Sequence, residues 1–147
     1  MKRILSVIAV SAALWATAAN AQTPSQPAES AEDDTLDYAY ELIATGLLIN
    51  ETCKPILEPK FYEGFKVLFR IDIGIMGGDD NDVKEAEEDA VSSSGYLCDG
   101  KAECWRSLID LPATATVEEG KKKCFDTLTQ ILTEFDTVMT PEKNTSG

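Results

Sequence analysis

Four cysteines, Cys53, Cys98, Cys104 and Cys124, are separated by 44, 5 and 19 residues, and the chain contains no histidine. This combination restricts the fold more than any other feature. A zinc site draws on closely paired Cys and His ligands, and a dithiol redox centre on C-x-x-C; neither pattern occurs in this chain. An even set of thiols is left with covalent bracing, provided the chain reaches an oxidising compartment.

The first residues, MKRILSVIAVSAALWATAANAQTP, supply that condition. Lys2 and Arg3 precede an apolar run from Ile4 to Ala19, and Ala19-Asn20-Ala21 gives a small–x–small cleavage signal. The pattern predicts a signal peptide over 1–21, cut between Ala21 and Gln22. The run falls short of the about 20 apolar residues a bilayer span needs. No cysteine follows it, which argues against lipid attachment. The mature chain is therefore expected in the periplasm or secreted, with no membrane insertion.

Removal of the leader leaves 11 basic against 26 acidic residues. Such an excess of carboxylates opposes nucleic acid and anionic membrane surfaces, which select basic patches. It favours another protein as partner, one with a basic surface, or simply serves solubility as a solvated acidic face, and a homo-oligomer is compatible with it. With no histidine, neither a Ser-His-Asp nor a Cys-His site can be assembled. No cofactor is implied.

Along the chain, 22–34 is acidic and Pro-bearing and reads as a disordered lead-in. Residues 35–140 read as a single helical domain and 141–147 as a flexible tail. Thr35 opens a run in which Leu36, Tyr40, Ile43, Leu47 and Leu48 recur at helical spacing, ending near Cys53 and Pro55. Gly46 inside it either weakens the helical pattern or marks a tight helix contact. Phe61, Phe65, Leu68, Phe69 and Asp72 or Ile73 suit a second helix, to about Ile75, before the Gly77-Gly78 break. Asp79 and Asp80 can cap a thin surface helix that ends within 92–95. Asp99 then caps one arm of a helical hairpin containing Trp105, Leu108 and Ile109. Thr116 and Glu119 form a capping box for the other arm, lined by Cys124, Leu128, Ile131, Leu132, Phe135 and Met139. The expected fold class is all-α, a small bundle of four to five helices stapled by two disulfides.

In such a hairpin Cys104 and Cys124 sit at similar heights from the bend, because each helical residue rises about 1.5 Å. This favours Cys104–Cys124, leaving Cys53–Cys98. The rival is Cys98–Cys104 with Cys53–Cys124; four cysteines allow three connectivities, and sequence alone excludes none of them.

Chemical motifs are weak. Asp79, Asn81 and Asp82 resemble the start of a calcium loop, but the positions that need Gly and Glu hold other residues. Asp72 stands among apolar residues and suits a structural role. Ser92, Ser93 and Ser94 lack a G-x-S-x-G frame. Asn50-Glu51-Thr52 and Asn144-Thr145-Ser146 match glycosylation sequons, expected to be idle behind a bacterial-style leader. Phe61, Tyr62, Phe65 and Phe69 form an aromatic-rich segment that suits core packing, with Tyr62 as the alternative partner anchor; Tyr62, Asp79, Asp80 and Asp82 are the candidates for partner contact. The expectation is a non-catalytic exported protein that binds or inhibits another protein, such as an immunity protein or an inhibitor of a cell-wall hydrolase. A periplasmic acid-stress chaperone and a carboxylate-dependent hydrolase are the alternatives.

Overall fold

The computed structural model describes residues 29–140, with side chains from Glu32 onward. The leader and its Ala21/Gln22 junction, the first part of the 22–34 lead-in, the 141–147 tail and its sequon lie outside the described residues. Those described form five helices and no strand: α1 (Glu29–Cys53), α2 (Pro59–Ile75), α3 (Asp80–Cys98), α4 (Trp105–Leu108) and α5 (Val117–Met139). The expected disulfide-stapled all-α bundle is the observed architecture.

Helix α1 begins at Glu29, ahead of Thr35. Carboxylates in its first turns sit where the helix dipole favours negative charge. Helix α2 keeps the expected limits, although the chain after Phe69 also alternates like a strand. Its buried face is turned from the one expected: Tyr62, Phe65, Phe69, Asp72 and Ile73 point inward, while Phe61 and Leu68 lie on the exposed side. Gly46 sets this rotation. The Phe69 ring occupies the space a Cβ at Gly46 would fill, so α1 and α2 meet closely there.

Contacts along the helices fix their directions. Cys53, closing α1, bridges to Cys124 in the first half of α5, with Cα atoms 6.3 Å apart. Tyr38 near the start of α1 donates its hydroxyl proton to Glu134 near the end of α5. The two helices are therefore antiparallel. Helix α2 also runs against α1: Asn50 Nδ2 donates to the Tyr62 carbonyl at 3.1 Å. Helix α3 runs with α1, since Thr52 Oγ1 and Ser94 Oγ lie 3.1 Å apart. The bundle thus has a braced end, where Cys53, Trp105 and Cys124 gather, and an opposite end that holds the starts of α1 and α3.

The disulfides are Cys53–Cys124 and Cys98–Cys104, so the favoured pairing Cys104–Cys124 with Cys53–Cys98 is corrected. The reason is the absence of the long hairpin arm. Helix α3 continues through Ser92–Gly95 to Cys98, and Asp99 is its left-handed C-cap, not the N-cap of a new helix (φ 43°). Gly100 is left-handed as well (φ 71°). The chain turns back at once, bringing Cys104 within 5.2 Å of Cys98, Cα to Cα. Only the one-turn α4 follows, so no helix carries Cys104 alongside α5.

Trp105, fully buried, takes the place beside α5 instead. Its ring and Ile56 fill the space a Cβ at Gly120 would need. The capping box of α5 is formed as expected: Thr116 Oγ1 accepts from the Glu119 amide at 3.2 Å, and Glu119 accepts from the Thr116 amide at 2.6 Å. Ile43, Leu47, Phe69, Leu128 and Phe135 make the centre of the core with Trp105. Asn50 is fully buried within it, which closes its sequon to a glycan.

Candidate functional site

Helix polarity and topology together decide where the charge lies. Acidic residues suit helix N-termini, and the sequence front-loads α1 with Glu32, Asp33, Asp34, Asp37 and Glu41, all exposed. It loads the start of α3 with Asp80, Asp82, Glu85, Glu88 and Asp89. Because α1 and α3 pack together in parallel, both sets arrive at the same end of the bundle. Glu134 and Asp136, late in antiparallel α5, join them. Among the described residues, the bases toward this end are Arg70 and Lys84. Arg70 is committed to Glu87, donating through Nε at 2.6 Å and Nη2 at 3.0 Å, with Lys66 3.7 Å from the same carboxylate. The Arg70 hydrogen bonds hold the Glu87 carboxyl below the usual glutamate range. The other lysines and arginine, Lys54, Lys60, Lys101, Arg106 and Lys121–Lys123, belong to chain segments toward the braced end.

The residues expected at a partner contact divide. Tyr62 is buried, its hydroxyl donates to Glu51, and Lys54 lies 4.9 Å from its ring centre. Burial and Glu51 both push the hydroxyl pKa up. Tyr62 is thus a core residue, and the surface role expected for it is withdrawn. Asp79 and Asp82 form a reciprocal capping box: Asp79 accepts from the Asn81 and Asp82 amides at 2.8 and 3.1 Å, and Asp82 accepts from the Asp79 amide at 2.8 Å. These bonds account for the calcium-loop resemblance as a helix start. Asp80, in the first turn of α3, is exposed at the acidic end.

Asp72 differs from every other carboxylate among the described residues. It is buried in α2, and its Oδ2 has no hydrogen-bond partner. Loss of solvent, and secondarily the charge of Asp136 on α5, push its pKa up to about 6. Asp72 lines neither of two open concavities on the surface. One follows α5 along Thr129, Thr133 and Thr137; the other lies beside Cys104, Arg106 and Asp110.

No cysteine is free, and no group of three or more His, Cys, Asp or Glu side chains is placed to hold a metal ion, among the described residues. No described helix is long and apolar enough to cross a membrane. The two disulfides indicate a non-reducing compartment. The α1 acids, not singled out from the sequence, were visible there as a cluster in the first turns of the helix, as those of α3 are. No family model, curated protein or solved structure matches the chain.

Proposed function

We propose that the chain is exported to the periplasm or beyond, loses residues 1–21, and acts without catalysis by binding a basic surface on another protein. One observation carries this reading: the acids of α1 and α3 gather at one end of a rigid bundle while most of the bases stay at the other. A one-sided field of this kind raises the encounter rate with a cationic partner and orients it before contact. A braced scaffold limits the ordering cost on binding. An inhibitor or immunity protein directed at a secreted cell-wall hydrolase fits these properties.

Affinity capture from periplasmic extract tests the reading, with wild type compared to a chain carrying Asp33→Asn, Asp34→Asn, Asp37→Asn and Glu85→Gln. The expected result is a basic protein retained by wild type, released by raised salt, and lost from the neutralised chain. Equal retention by both chains, or a hydrolytic turnover of peptidoglycan by the purified protein, would overturn it.

A further inference from the structure

Helix α2 carries a second apolar face beside its buried one. Phe61, Gly64, Leu68, Ile71 and Ile75 follow one another at intervals of three and four residues, the spacing of a coiled-coil seam, with Phe61 at its edge, where its ring also packs against Phe125 of α5 at 5.2 Å. Leu68, Ile71 and Ile75 are 45%, 54% and 55% exposed, and Val67 flanks them at 50%. At Gly64 the space a side chain would take is open. Single exposed aliphatic residues are ordinary, but a row of them on one helix marks a contact surface.

With residues 1–21 removed as proposed, the two segments that flank the described residues are poorly suited to cover this row. Segments 22–28 and 141–147 read QTPSQPA and PEKNTSG and contain no large apolar side chain. Helix α2 is also the exception to the acidity of the long helices. Lys60, Lys66 and Arg70 stand against Glu63 and Asp72, and Lys66 and Arg70 offset Glu87 of α3 as well, whereas α1 contains no base. Two copies approaching through α2 keep their acidic α1 surfaces apart.

We propose that α2 is a self-association surface, on which two copies of this chain pair antiparallel about a two-fold axis near Leu68. That arrangement sets Phe61 opposite Ile75 of the second copy and brings the Leu68 residues together, with Gly64 allowing close backbone approach. The acidic end of each bundle lies beside the lysine-bearing end of the other. Lys60, at the start of α2, comes near Asp79 and Asp80, just beyond its end. A parallel pairing would superpose the acidic ends and is disfavoured by like-charge repulsion. The interface is isologous, so it closes at two copies.

The test uses protein expressed with its own leader, with intact mass recording whether residues 1–21 are gone. Sedimentation equilibrium over roughly 1–500 μM covers the range expected of a small interface. The expected result is a reversible monomer–dimer equilibrium. L68E/I71E should remain monomeric throughout with an unchanged helical spectrum, while V91E, on the exposed side of α3, dimerises like wild type. Leu68→Cys should give a covalent dimer in oxidising buffer that Val91→Cys does not, a readout independent of whether the glutamate variant folds. A wild-type chain that stays monomeric, an unaffected L68E/I71E dimer, or no preference for crosslinking at Leu68 would overturn the proposal. So would a dimer seen only while residues 1–21 are retained, which would assign the seam to that segment.

Discussion

The two ends of the bundle are built on opposite terms. At the braced end, Cys53–Cys124 joins α1 to α5, Trp105 packs where Gly120 leaves room for it, and acids and bases are interspersed. At the other end, carboxylates far outnumber bases at the starts of α1 and α3, without a covalent tie among the described residues. Mutual repulsion there is destabilising. The contrast teaches that stability and surface field are divided along the length of the molecule. Bracing concentrated at one end tolerates a charge density at the other that folding does not require, and the proposed binding of a basic partner draws on that density.

The sharpest way to break this division is to remove the long tie. Cys53 and Cys124 are 71 positions apart, and in the chain-entropy picture closing such a loop contributes about 4 kcal/mol. Replacing both with alanine should lower the urea midpoint accordingly. Replacing Cys98 and Cys104, 6 positions apart, should cost about 2 kcal/mol, since the loop is short. Equal losses would show that loop entropy is not what separates the two bridges.

A smaller effect should come from Asp72. Its folded pKa of about 6 lies above the ordinary 3.8, so the fold prefers the protonated form. Its favourable contribution is complete below about pH 3.8 and is lost as pH rises through about 6. Asp72→Asn should therefore raise the melting temperature at pH 7.5, by an amount worth about 1–2 kcal/mol, and change it little at pH 3.5. Near-neutral behaviour at both pH values would remove Asp72 as a source of strain between α2 and α5. Smallest of all, Asp34→Asn and Asp37→Asn should each stabilise by about 0.3 kcal/mol at low ionic strength, an effect erased by salt. Matching changes at Glu118, beside Lys121 at the braced end, should stabilise nothing.

What could be read from the sequence follows the same division between local and non-local information. Helix α5 was legible because Thr116-x-x-Glu119 and an apolar stripe give the same answer. The limits of α2 were legible from Pro59 and Gly77. Its orientation was not, because apolar residues occupy both faces and only the approach of Phe69 to Gly46 selects one. The disulfide pairing failed for a similar reason. Asp99 suits an N-cap or a left-handed C-cap, and choosing the first creates a hairpin that the chain does not make. The acidic end needed helix directions as well as composition. Tyr62 was open to two readings, core packing and a partner anchor, because aromatic residues serve both cores and contacts.

Trp105 gives this molecule a built-in reporter. Of the two tryptophans in the chain, Trp15 belongs to the proposed leader, leaving one indole in the mature protein. That indole is enclosed, with the Arg106 guanidinium 4.4 Å from its ring centre. Its fluorescence should therefore watch a single neighbourhood, around α4 and the start of α5, and be blind to fraying where α1 and α3 begin. Melting curves followed by emission and by far-ultraviolet dichroism should then separate, with the dichroism falling first.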